Sequence, residues 1–98
     1  MSLPKFLQPY LASYDLSKLD KNSWQVRREI ITQLLNMGDD KAILWLFQNF
    51  STDEIKKAIS NPDRGIWFKE SLNYWEKILG VKTSLNKRRE AVLNINPT

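Results

Sequence analysis

The side chains that could carry acid–base chemistry in this sequence are carboxylates. The 98 residues include no Cys and no His. This excludes Cys/His zinc sites, thiol nucleophiles, disulfides and every His-based triad. Neighbouring acids occur at Asp39-Asp40 and at Asp53-Glu54. Both pairs lie at predicted helix starts, where a carboxylate stabilises the positive end of the helix dipole. We therefore interpret them as structural residues.

A third acidic pair, Glu70 and Glu76, is not arranged as a catalytic dyad. Residues six apart on one helix do not face each other. The sequence also contains no Asp-x-Asp pattern, no Gly-rich phosphate-binding loop and no EF-hand spacing. With three Gly in the whole chain, a phosphate-binding cradle is not expected. We therefore expect a protein without enzymatic activity, bound metal or cofactor.

Basic side chains suggest nucleic-acid binding as an alternative function. Predicted helices at 40–50 and 52–60, joined by a tight turn, have the proportions of a DNA-binding helix-turn-helix. The second helix, however, begins with the acidic Asp53-Glu54 and has no Arg, Asn or Gln to read base edges. We keep a small transcriptional regulator that binds DNA through this helix-turn-helix as the alternative function. Its candidate phosphate contacts are Lys56, Lys57, Arg64, Lys87, Arg88 and Arg89.

An apolar segment in a predicted loop suggests a protein interface. Trp67 lies between Gly65 and the last predicted helix, so we expect it to form an exposed patch with its two neighbours, unlike the other three Trp, which we assign to the core. Exposed apolar patches often mark interaction surfaces. A homodimer packed through Trp67 is a further possibility. The candidate partner-binding residues are Ile66, Trp67, Phe68, Arg27, Arg28 and Arg64.

The elements that would position these residues are all helical. Apolar spacing and turn residues predict helices over 4–14, 21–37, 40–50, 52–60 and 68–79, those over 4–14 and 52–60 being short. Gly38 is expected to end the first long helix in the left-handed conformation. Ser51 and Glu54 are expected to form a capping box. The 40–50 helix is apolar on almost every side, which is typical of a buried helix.

We therefore predict an all-α single domain, a compact bundle of four to five short helices around a buried central helix at about 40–50. Hydrophobic residues make up 42% of the chain and 11% is aromatic, which suffices for one core. The prediction places the helical domain at 1–81. Residues 82–98 are expected to be a flexible basic tail or an extra helix, because they carry three of the four net positive charges and few apolar residues.

The N-terminal sequence lacks the apolar stretch of a secretory signal, and no apolar run approaches the ~20 residues of a membrane span. We therefore expect a cytoplasmic protein that does not bind membranes.

Several short motifs resemble a small family of uncharacterised prokaryotic helical domains. The most distinctive is Gly38-Asp39 followed by Trp45-Leu46. The family pattern has a Ser cap where this chain has Phe68. The resemblance covers about residues 4–81. Its other matching residues are Pro4-Lys5-Phe6-Leu7, Tyr14-Asp15, Ile30-Ile31, Leu34-Leu35, Glu54-Ile55, Arg64, Ser71, Asn73 and Trp75 to Leu79-Gly80.

Members of that family are often encoded beside nucleotidyltransferase-like toxins of the abortive-infection type. The resemblance implies an antitoxin-like or accessory role and offers no catalytic residues to carry over. Together with the absence of a recognisable active site, it leads us to expect a non-enzymatic protein-interaction module whose partner is another protein, a nucleotidyltransferase-like toxin being the partner that the resemblance suggests.

Overall fold

Helices account for the regular structure of the computed structural model, which describes residues 3–11, 22–62 and 65–92. Within these residues no strand forms, and the one β-type feature is an isolated parallel bridge between Trp67 and Val92. The all-α prediction is confirmed. The elements are a 3₁₀ helix (Lys5–Tyr10), α1 (Trp24–Met37), α2 (Asp40–Asn49), α3 (Thr52–Ser60), α4 (Lys69–Leu79) and α5 (Leu85–Ala91).

Polar side chains at the caps explain where several helices begin. Asp39, Ser51 and Ser84 each accept a hydrogen bond from the backbone N–H three residues later, at 2.9, 3.1 and 3.3 Å. The predicted cap at Ser51 is thus confirmed. The Glu54 carboxylate, expected to return to the Ser51 backbone, binds Arg27 on α1. This contact connects α3 to α1.

The central helix of the bundle is α1, so the prediction that the 40–50 helix would occupy the centre is wrong. α1 packs against the 3₁₀ helix, α2, α3 and α4. Its buried residues are Ile30, Ile31, Thr32, Leu34 and Leu35. In α2 only Ala42 and Leu46 are buried, and Leu44 is 59% exposed. An apolar composition on all sides of α2 predicted burial, but the fold leaves part of that surface uncovered.

Position 38, between α1 and α2, requires glycine for a different reason from the one predicted. Its φ of −67° lies in a region open to every residue, so the left-handed conformation is not used. A side chain does not fit at this position, because a Cβ here would lie 2.5 Å from the Leu34 carbonyl oxygen and 3.1 Å from the Ala42 Cβ. Gly80, which ends α4 as predicted, does adopt the left-handed conformation, with φ of +67°.

The first part of the basic C-terminal segment is folded onto the domain. The backbone N–H groups of Gly65 and Trp67 donate to the carbonyl oxygens of Glu90 and Ala91, at 2.7 and 2.8 Å. Ala91 is fully buried. The expected flexible tail is therefore wrong for 85–91, which form the extra helix considered as the alternative. Residues 93–98 lie outside the described residues.

Polar contacts compensate for the low apolar content of α5. Arg88 forms an ion pair with Glu76 of α4. The Glu76 carboxylate also accepts from the Thr83 backbone N–H at 2.9 Å, and the Thr83 hydroxyl donates to the Ile59 carbonyl oxygen at 3.0 Å. Single-helix reasoning could not predict these contacts, because their partners lie on other helices.

Gly38→Ala should lower the free energy of unfolding by about 1–3 kcal/mol, because the added methyl group meets the α1 backbone and Ala42. Urea denaturation of the purified chain measures this change. If the neighbours moved aside, the same substitution would instead stabilise the protein by about 0.4–1 kcal/mol through the unfolded state. That result would contradict the steric explanation.

Gly80 provides the matched control, because a Cβ added there would meet no atom within 4 Å and only the positive φ is restrictive. Gly80→Asn should recover most of the stability lost in Gly80→Ala, since Asn tolerates the left-handed conformation. Gly38→Asn should be no better than Gly38→Ala.

The ion pair between Arg27 and Glu54 should contribute about 1 kcal/mol of coupling energy, because both side chains are partly buried and the guanidinium makes two contacts. A double-mutant cycle with Arg27→Met and Glu54→Gln measures this term by urea denaturation. The same cycle with Asp53→Asn in place of Glu54→Gln is the control, and its coupling should be close to zero. Equal coupling in the two cycles would contradict a specific pair.

Candidate functional site

A groove of about 710 Å³ runs between α2 and α4. Both helices pack against α1, whose last turn contributes to the groove. The lining residues are Leu35 and Gly38 at the end of α1, Asp40, Ile43, Leu44 and Phe47 on α2, and Glu70, Ser71, Tyr74 and Trp75 on α4. Most of this surface is apolar, and aromatic rings form a large part of it.

Aromatic side chains connect the two helices at the groove. The rings of Phe47 and Trp75 lie 5.8 Å apart, centroid to centroid, and are tilted by 35°. The Trp75 indole N–H donates to the Leu35 carbonyl oxygen at 2.9 Å, which sets the position of the ring. Tyr74 meets Trp75 edge-on, with centroids 5.0 Å apart. This part of the surface is therefore formed without a partner.

Asn36 sets the position of α4 relative to α1. Its side-chain amide donates to the Ile66 carbonyl oxygen at 2.9 Å and accepts from the Phe68 backbone N–H at 3.0 Å. The Ser71 hydroxyl donates to the backbone carbonyl oxygen of Asn36 at 3.3 Å. The Asn36 amide thus provides a hydrogen-bond acceptor for a backbone N–H at the start of α4, whose N-cap residue Phe68 has no capping side chain. Sequence reasoning missed Asn36 because its partners lie about thirty residues away along the chain.

Large apolar side chains remain exposed beside the groove. Leu44 on α2 is 59% exposed and Tyr74 on α4 is 55% exposed. Ile78, one turn after Tyr74, is exposed to a similar extent. The sequence contained a signal for this surface, because Leu44 lies outside the main apolar stripe of its helix. Exposed apolar residues around a concave surface are typical of a protein-binding site.

Two carboxylates also line the groove. Asp40 lies in the first turn of α2 and Glu70 in the first turn of α4. Both are exposed, and neither forms an ion pair with any described residue. Glu76 behaves differently, because it binds Arg88 and Thr83. The two glutamates that the sequence places on one helix therefore have different surroundings.

Trp67 is fully buried, so the prediction that it lies in an exposed patch is wrong. The segment containing it pairs with the end of α5 through backbone hydrogen bonds. Ile66 is half-buried and Phe68 is 41% exposed, which leaves no continuous surface across the three residues. Because the Trp67 ring is buried within one chain, it offers no surface for a homodimer contact.

The predicted arginine contacts are engaged within the domain. Arg27 binds Glu54 and lies 4.3 Å from the Phe50 ring centroid. The hydrogen bond to Glu54 raises the pKa of Arg27 above its usual value. Arg28 donates to the Asn61 carbonyl oxygen at 3.4 Å. Arg64 lies outside the described residues.

The cations of the helix-turn-helix alternative lie on α3 and α5. The Lys57 ammonium is 4.3 Å from the Trp24 ring centroid, and the Lys87 ammonium donates to the Asn61 side chain at 3.1 Å. Arg88 is paired with Glu76. The two helices α2 and α3 are present as predicted, with Lys56 half-buried on α3 and Arg89 exposed on α5. DNA binding by these residues stays a prediction.

The described residues contain no cluster of three or more acidic side chains arranged to hold a metal ion. No helix in the same part of the chain has both the length and the apolar character required to cross a membrane.

A scan of the chain against protein-family models finds no match, and comparisons with curated proteins and with solved structures find no significant match. The resemblance to the antitoxin-like family therefore stays a prediction based on the short motifs.

Proposed function

We propose that the protein is a non-enzymatic interaction module that binds another protein through the groove between α2 and α4. The observation that carries the proposal is the exposure of Leu44 and Tyr74 beside a groove with a preformed aromatic surface. Burying a large apolar side chain contributes roughly 1.5–3 kcal/mol. A partner that covers both residues would gain part of this free energy from each of them, because both side chains are already partly buried.

The preformed geometry favours binding. Trp75 is held by its hydrogen bond to Leu35, and the start of α4 is held by Asn36. A surface that is already ordered loses little conformational entropy when a partner binds. Both helices of the groove lie in the part of the chain, about residues 4–81, that resembles the antitoxin-like family. A nucleotidyltransferase-like toxin is therefore the partner to test first.

Replacing the exposed apolar residues should weaken partner binding without unfolding the domain. Leu44→Ser and Tyr74→Ser should each reduce affinity about ten-fold or more, because each removes apolar surface that the partner buries. The assay is capture by the tagged full chain from a nuclease-treated native lysate, followed by titration of the captured protein. Leu85→Ser is the matched control, because Leu85 is 62% exposed on α5, away from the groove lining, and should leave binding unchanged.

Equal capture by the wild type and by the Leu44→Ser/Tyr74→Ser variant would contradict the groove as the binding site. Retention of nucleic acid alone from an untreated lysate, lost steeply with added salt, would instead support the helix-turn-helix alternative.

A further inference from the structure

We infer that the groove binds a helix of a partner protein whose apolar side chains are flanked by Lys or Arg, with Asp40 and Glu70 contacting those cations. This inference rests on the proposed function and specifies the chemistry of the partner. It depends on two properties of the groove, the spacing of its lining residues and the sign of its charge, and on the poor fit of the chain's own basic helix α5.

The spacing of the lining residues suits a helix. On α2 the groove is lined at Asp40, Ile43, Leu44 and Phe47, and on α4 it is lined at positions 70, 71, 74 and 75. Both sets follow the three- and four-residue intervals that form ridges on a helix. A third helix can place its own ridge between them. Adding a strand would require an open sheet edge, and the described residues contain no sheet.

The charge of the groove is opposite to that of the whole chain. The chain has a net charge of +4, yet the charged residues that line the groove are Asp40 and Glu70. Neighbouring Lys41 is directed to the Phe6 ring, 4.4 Å from its centroid. A cation on the partner would therefore meet two carboxylates that form no ion pair with the described residues, whereas an acidic helix would be repelled.

The basic helix α5 of a second copy of this chain is a poor fit to the groove. It offers Leu85 as an exposed apolar residue, while Ala91 of the same helix is buried in the domain. A helix that fills a groove needs apolar side chains on successive turns. We therefore assign the groove to a partner helix, and self-association becomes one outcome of the test.

The test uses two labelled peptides of roughly 18 residues, about five helical turns, which share one apolar Leu face. One peptide carries Lys at the flanking positions and the other carries Glu. Titration with the full chain by fluorescence anisotropy at low salt should show at least about ten-fold tighter binding of the Lys peptide. This preference should shrink at high salt, because exposed ion pairs are screened.

Substitutions then assign the preference to the two carboxylates. Asp40→Asn and Glu70→Gln should each weaken binding of the Lys peptide about two- to five-fold and bring the two peptides closer in affinity. Asp53→Asn is the matched control, because Asp53 occupies the first turn of α3 outside the groove lining. It removes an equivalent helix-terminal charge and should leave the preference unchanged.

The outcomes separate this inference from the proposed function. Equal binding of the two peptides, abolished by Leu44→Ser, would overturn the charge assignment and leave the groove as the site. Absence of peptide binding would overturn the helical partner, while capture dependent on Leu44 would still support the proposed function. Binding of the Lys peptide unaffected by Leu44→Ser would contradict both. Concentration-dependent dimerisation in sedimentation, lost in Leu44→Ser, would overturn the inference in favour of a second copy.

Discussion

The rest of the structure depends on the burial of α1. This helix packs against the 3₁₀ helix, α2, α3 and α4, and five of its residues are buried. A helix buried in this way leaves its neighbours to pack side by side around it. Because α2 and α4 both rest on α1 and are separated along their outer surfaces, the groove is a direct consequence of this arrangement.

Side-chain contacts to the α1 backbone give the groove its definite shape. Trp75 and Ser71 donate to carbonyl oxygens in the last turn of α1, and the Asn36 side chain binds the segment before α4. Each bond satisfies a polar group that would otherwise lose its hydration. The same contacts place Tyr74 at the surface. The interactions that complete the fold therefore also create the proposed binding surface.

The charged side chains also differ in whether they are paired within the domain. Several cations have intramolecular roles, with Arg27 on Glu54, Arg88 on Glu76 and Lys57 on Trp24. The two carboxylates in the groove have no such partner among the described residues. A basic net charge alone would direct attention to nucleic acid. The two charged residues that line the groove are nevertheless both acidic.

The sequence by itself determined the fold class, most helix boundaries and the cap at Ser51, because periodic apolar spacing and capping are local properties. It did not determine which helix is central, why Gly38 is Gly or whether α5 docks. The sequence also predicted that Trp67 is exposed, whereas the structure buries it. Those outcomes depend on contacts between distant residues, such as Trp67 with Ala91 and Asn36 with Phe68, and only the tertiary structure brings such residues together.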